Sequence, residues 1–357
     1  MYLTPAQIKG KIKNLAKKNG TDPIALLRIY MMERFLERIR YSKYKDDFII
    51  KGGILVTSMI GIAMRSTMDI DTTIRNFDLT KEETTKIISE IKDIVLDDHI
   101  EFVLKDVLDV MDNMEYPGLR VHIDAKLEEL VVPIKIDIST GDVITPNEVK
   151  YEYPLLLEER TIQLWSCNLE TLLAEKIQTI LSRGVLNTRM RDFYDVTTLF
   201  GSYKESIDYD DLSLAFIKTC TKRETNSLLR DSKEIILSIS QDSTLQRLWK
   251  RYTQKYKYAS CIEFSTNIET LNYLIDKIIL ERGKFFLGGN IRKRAVTLKV
   301  VVNTIYSLQP HFFSGVNLKD IISNQKLLSN DQIDKRQNTS VFVLCYIYVQ
   351  LILEVLL

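Results

Sequence analysis

Asp69 and Asp71 stand two positions apart in the run Met68-Asp69-Ile70-Asp71-Thr72-Thr73-Ile74, where β-branched residues alternate with carboxylates. Side chains two apart on a β-strand leave by the same face, so both carboxylates project together while Met68 and Ile70 turn toward a core. Carboxylates so placed repel each other unless a cation lies between them, and oxygen ligands of this kind suit Mg²⁺ together with substrate phosphates. Upstream, Lys51-Gly52-Gly53 ends the apolar run Phe48-Ile49-Ile50 and precedes Ile54, Leu55, Met59 and Ile60 at helical spacing. A glycine pair at a strand-to-helix turn lets the backbone approach a ligand and aims free N–H groups at it, which suits phosphate. Arg65 and Ser66 would add a guanidinium fork and a hydroxyl. A site with two metal ions requires a third carboxylate. Asp137, in the alternating Ile134-Lys135-Ile136-Asp137-Ile138, is the first candidate and Asp124 the fallback. Singly, a Gly-Gly is usually a turn and an Asp-x-Asp a solvated surface; the order and closeness of the pieces point to a site.

Positioning these groups requires a sheet. Thr4-Pro5 reads as a cap and first turn of a short helix, and Asp22-Pro23 opens a second that runs to about Tyr41. Then follow a strand at 48–50, a helix to Gly61, a strand at 68–74, and a helix capped by Thr80 that reaches about Leu96. Strands are expected at Ile100 to Val107, Leu119 to Leu127 and Ile134 to Ile138. Beyond Pro154 helical periods dominate from Asn168 to about Ile279, with Glu158-Glu159-Arg160 as an exposed connector. The fold class is α+β: a small mixed-sheet core with helices, followed by an α-helical domain. The expected divisions are N-terminal helices at 1–45, a catalytic domain at 46–155, the helical domain at 156–283, and an extension at 284–357 that includes a strand-like stretch from Val296 to Tyr306.

Among the 357 residues, 49 basic side chains face 48 acidic ones, a net charge of +1 that rules out a uniformly basic polyanion binder. Any nucleic-acid contact must be local. Lys9 to Lys18, and Lys250 to Lys257 with Tyr252, Tyr256 and Tyr258 interleaved, could hold RNA through phosphates and stacking; a solvated amphipathic face explains them equally. Cys167, Cys220, Cys261 and Cys345 form no C-x-x-C pair, and His99, His122 and His311 show no metal-ligand spacing. The N-terminus lacks a secretory pattern. The apolar stretch 341–357 is interrupted by Gln350 and Glu354 and stops about three residues short of a bilayer span, so a cytoplasmic protein with no membrane partner is expected.

Gly52-Gly53 followed by Arg65-Ser66-Thr67-Met68-Asp69-Ile70-Asp71 resembles the first motif of the DNA polymerase β-like nucleotidyltransferases, in the variant carried by the AbiEii/AbiGii abortive-infection toxins. Leu172-Leu173-Ala174-Glu175-Lys176 is similar to the family's lysine helix, and Arg189-Met190-Arg191-Asp192-Phe193-Tyr194-Asp195 to its arginine and aspartate motif. On residues alone, Lys176 could equally be a snorkelling lysine, and Asp192 and Asp195, which share a helical face, part of a surface ion-pair network. The resemblance covers roughly residues 45 to 280. It implies catalytic roles for Asp69, Asp71, Asp137, Lys176, Asp192 and Asp195, with Mg²⁺ on the first three. It also implies nucleoside triphosphate contacts for Lys51, Gly52, Gly53, Arg65, Ser66 and Arg191. The implied reaction is transfer of a nucleoside monophosphate to an acceptor, the 3′ end of tRNA foremost, by a toxin whose antitoxin acts without forming a stable complex. A small-molecule nucleotidyltransferase of the aminoglycoside-modifying kind and a noncatalytic nucleotide-binding module are the alternatives.

Overall fold

Side-chain caps mark where six of the described helices begin, at Thr4, Asp22, Thr80, Asn168, Asp208 and Asp242. The computed structural model describes residues 3–61, 65, 67–110 and 118–288. Ser66, His311, Cys345, the strand-like stretch 296–306 and the apolar stretch 341–357 lie outside them. α1 (Pro5–Asn19) starts on Thr4, which forms a reciprocal capping box with Gln7, and α2 (Pro23–Tyr41) starts on Asp22. β1 (Phe48–Lys51) turns directly into α3 (Gly52–Ile60), followed by β2 (Asp69–Ile74) and α4 (Lys81–Lys92), which Thr80 caps. α4 ends four residues before the expected Leu96. Next come β3 (Glu101–Val110), β4 (Gly118–Leu127), β5 (Leu130–Thr140), β6 (Val149–Pro154) and β7 (Thr161–Ser166). The helical part comprises α5 (Leu169–Arg183), capped by Asn168, α6 (Met190–Tyr203), α7 (Tyr209–Lys222), α8 (Leu228–Gln241), α9 (Ser243–Lys255) and α10 (Phe264–Gly288).

The seven strands form one mixed sheet in the order β3-β4-β5-β2-β1-β7-β6. β2 runs parallel to β5 and β1 parallel to β7; the other neighbours are antiparallel. The mixed-sheet expectation is met, and three details are corrected. The segment 158–160 is no exposed connector: it turns the β6–β7 hairpin, and Glu158 and Arg160 form ion pairs with each other and with Arg34 and Glu37 of α2. Thr161-Ile162-Gln163-Leu164-Trp165-Ser166 carries the alternation of a half-buried strand. α10 continues through Lys284, past the start expected for the extension, and the described residues through Gly288 pack as one unit. Met68 is 46% exposed because β2 starts only at Asp69, whereas Ile70 is fully buried as expected. Among the described residues, no helix is long and apolar enough to cross a membrane.

Candidate active site

Register assembles the acidic part of the site. Parallel pairing sets Asp69 opposite Lys135 and Asp71 opposite Asp137, while antiparallel pairing sets Lys51 opposite Asp71 and Arg120 opposite Asp137. Directly paired residues share a sheet face, so Lys51, Asp71, Asp137 and Arg120 form a row across four strands with Asp69 and Lys135 beside it. Burial, and next the charge of Asp137, pushes the Asp69 carboxyl above its usual range. Burial likewise raises Asp71, against the lowering effect of a hydrogen bond from Gly53. Asp69 Oδ1 is buried without a hydrogen-bond partner. Asp124 lies four residues along β4 from Arg120, opposite Pro133, and pairs with Lys105 at 3.5 Å.

The glycine pair serves this row at close quarters. Gly52 has φ +58°, and a Cβ there would come within 2.3 Å of Asp71 Oδ2; one on Gly53 would come within 2.6 Å of Thr67 Oγ1. The Gly53 N–H donates to Asp71 Oδ2 at 2.8 Å. The anion that meets the N-terminus of α3 in this structure is a carboxylate of the protein itself.

Arg65 is not an open phosphate fork. Its side chain is 3% exposed, and the guanidinium donates from Nε and Nη2 to the two Asp195 oxygens at 2.7 and 3.0 Å, and from Nη1 to the Gly53 carbonyl at 2.7 Å and Thr57 Oγ1 at 2.9 Å. Lys176 Nζ lies 3.0 Å from Asp192 Oδ1 and 2.7 Å from Asp195 Oδ2. Burial opposes the lysine's charge, but Asp195 and Asp192 outweigh it and hold the ammonium above its ordinary range. Asp195, despite burial, is held below the usual carboxylate range by Lys176 and Arg65. Arg189 Nε lies 3.0 Å from Asp192 Oδ2. The snorkelling-lysine and surface-network alternatives therefore fail, since Lys176, Asp192 and Asp195 are all buried.

Two poles result. Among the described residues Asp137 alone of Asp69, Asp71 and Asp137 forms an ion pair, with Arg120, whose Nε and Nη2 each sit 2.7 Å from an Asp137 oxygen, while Lys135 and Lys51 attract Asp69 and Asp71 from farther off. Arg65, Lys176 and Arg189 outnumber Asp192 and Asp195 on the helical side, where Arg191 adds a further cation with no carboxylate partner among the described residues. Gly53 joins the poles, with its N–H on Asp71 and its carbonyl on Arg65. Lys51 reaches Ser139 Oγ at 2.7 Å and forms an ion pair with Asp142. Burial works against its charge, but Glu175 and Asp142 hold it above the ordinary lysine range. Arg120, Lys135, Asp142 and Glu175 were not among the sequence candidates. Lys135 shares the alternation that marks Asp137, whereas Arg120 becomes visible only through cross-strand register.

Among the described residues no three carboxylate, His or Cys groups converge to hold a metal ion as they stand, both Asp137 oxygens being taken by Arg120. The buried, unpartnered Asp69 Oδ1 beside a second carboxylate of raised pKa is nevertheless the kind of donor set that fits a hard cation.

A mixed sheet with this carboxylate row, backed by a basic helical pole, belongs to the nucleotidyltransferase class. The chain is a member of the AbiEii nucleotidyl transferase toxin family of type IV toxin–antitoxin systems, whose sequence model matches residues 34–261, from within α2 to just beyond α9. Among solved structures it is similar to JHP933 from Helicobacter pylori at 15% identity, covering 78% of this chain and 97% of that one, with a TM-score of 0.40. It is also similar to an antigenic nucleotidyltransferase-like protein from Paracoccidioides brasiliensis at 16% identity, covering 57% and 92%, with a TM-score of 0.32. No curated protein matches the chain.

Proposed function

We propose that this nucleotidyltransferase moves a nucleoside monophosphate from a nucleoside triphosphate to the 3′ end of tRNA in the cytoplasm, the acceptor hydroxyl oxygen bonding to the α-phosphorus as the α–β bond breaks and pyrophosphate leaves, as the toxin arm of a phage-defence system. Its antitoxin would act without a stable complex. The observation that carries the reading is the juxtaposition of a carboxylate-rich row with a cation-rich pole through one residue, Gly53. A magnesium triphosphate has the complementary pattern of charge.

Asp69 and Asp71, with Asp137 once it leaves Arg120, would hold Mg²⁺, which when bound offsets the like charges and polarises the phosphate under attack. Lys176 has three ammonium donors; Asp192 and Asp195 take two directions and fix the third for a phosphate oxygen. Asp195 and Arg65 act as positioning residues, since their contacts are with each other, Lys176 and the α3 N-terminus. Arg191, without a carboxylate partner among the described residues, and Lys51 would contact phosphates, as would Ser66. Asp137 would accept the acceptor hydroxyl's proton from the row. The division into a catalytic domain at 46–155, to which β7 is added, and a helical domain that closes over it belongs to the same proposal.

The test is label transfer from each of four α-labelled nucleoside triphosphates to total tRNA with Mg²⁺. Wild type labels the 3′ end with at least one nucleotide, and Asp71→Ala loses about 10⁴-fold of that rate. No transfer with any nucleotide, together with equal toxicity of wild type and Asp71→Ala in cells, would overturn the reading.

A further inference from the structure

α9 carries its charge in one stripe. Arg247, Lys250, Arg251, Gln254 and Lys255 recur at the spacing of a single helical face and are all exposed, while Leu245 and Trp249 on the other side are buried. From Ser243 to Ser260 there is no acidic residue, although Asp242 and Glu263 flank the segment. The stripe ends where aromatic rings begin. Lys255 Nζ sits 5.2 Å over the Tyr256 ring, Tyr256 stacks on Tyr258 with centroids 5.4 Å apart, and Tyr258 lies 5.0 Å from Tyr194 of α6. Tyr252 closes the cluster, its hydroxyl 3.2 Å from that of Tyr258. Tyr252, Tyr256 and Tyr258 are each only half-buried. Arg191, at the first turn of α6, is within electrostatic reach of these three tyrosines, of Asp195 and of Asp69.

We infer that the α9 stripe and the Tyr252–Tyr256–Tyr258 cluster form the surface that binds the RNA acceptor and leads its single-stranded end past Arg191 to the carboxylate row. The inference rests on the reading of the chain as an RNA nucleotidyltransferase and adds the acceptor's route. The chemistry is that of single-strand binding, in which cations track the phosphates and half-exposed rings stack on bases. The continuity of the stripe with the rings, and of the rings with Arg191, distinguishes this face from an ordinary solvated helix.

The test measures binding of total tRNA and of a short unstructured oligoribonucleotide across a salt series. In the triple variant Lys250→Glu, Arg251→Glu, Lys255→Glu, affinity falls at least about tenfold and the slope of log K against log salt becomes shallower by about two. Tyr256→Ala weakens oligoribonucleotide binding at least about fivefold. All of these side chains reach solvent, so thermal melts and nucleoside triphosphate binding stay at wild-type values. Wild-type affinity and salt slope in the triple variant, or no RNA binding by wild type, would overturn the inference. If wild type binds RNA through α9 yet transfers no nucleotide to it, the surface stands and the transfer reading falls. Undiminished transfer to RNA by the triple variant overturns the surface and leaves the transfer reading intact.

Discussion

The interior around α2 and the carboxylate row on β2 and β5 both bury acids beside guanidinium groups, and they settle their charge differently. Around α2, Glu37, Asp98 and Glu158 are matched by Arg34, Arg38 and Arg160. The surplus acid, Glu33, accepts the Leu156 N–H on both oxygens, and burial pushes its carboxyl up to about 8, so that at neutral pH it carries a proton in place of a charge. The carboxylate row also has a surplus, but among the described residues only Asp137 of the three forms an ion pair, and an oxygen of Asp69 has no hydrogen-bond partner. A network that balances itself holds a fold together. One that does not balance calls for a ligand.

Three experiments would break or sharpen that contrast. The largest effect is expected from Arg38→Ala, which strips Asp98 of a two-point contact at 2.6 and 2.9 Å and leaves a buried charge unmatched. It should cost about 3–5 kcal/mol of stability in urea unfolding, and a loss below about 1 kcal/mol would remove the α2 network from the fold's supports. Mg²⁺ should act at the row instead. At about a hundred times its dissociation constant it stabilises wild type by about 2.7 kcal/mol, read as a rise in melting temperature that chelation reverses. Asp69→Asn should abolish most of that rise and leave metal-free stability unchanged or improved, since a like charge has gone. The smallest effect, taken per pH unit, is that of pH on Glu33. The unfolded carboxyl sheds its proton near its ordinary value of 4.5 and the folded one only near 8, so this group's stabilising share declines as pH climbs between those values. The slope is at most about 1.4 kcal/mol per pH unit, and Glu33→Gln should flatten it, as pH-dependent unfolding midpoints would register.

Local rules made much of this molecule legible before its structure. Thr4, Asp22 and Thr80 are caps whose chemistry depends on a few neighbours, and period-two alternation is enough to place Asp69, Asp71 and Asp137 on strands. What escaped depends on partners remote in sequence. Arg65 read as a phosphate fork because its actual partner, Asp195, lies 130 positions away. Arg120 reads as an ordinary strand cation until the β4–β5 register sets it against Asp137. The hairpin at 149–166 is hidden in the sequence by the charged residues at its turn, which read as a linker, whereas Glu158 and Arg160 form ion pairs with α2.

The bond between Arg65 and Asp195 also has a consequence for synthesis. A chain still on the ribosome that has not yet delivered Asp195 has no partner for Arg65, and Arg65 is what steadies the Gly53 carbonyl behind Asp71. The β2–β5 register, which decides whether Asp71 and Asp137 meet at all, is likewise non-local, and a slip of one residue would turn both β2 carboxylates to the opposite face. The two poles can therefore be joined through Gly53 only after α6 has been made, more than a hundred residues behind the glycine pair itself.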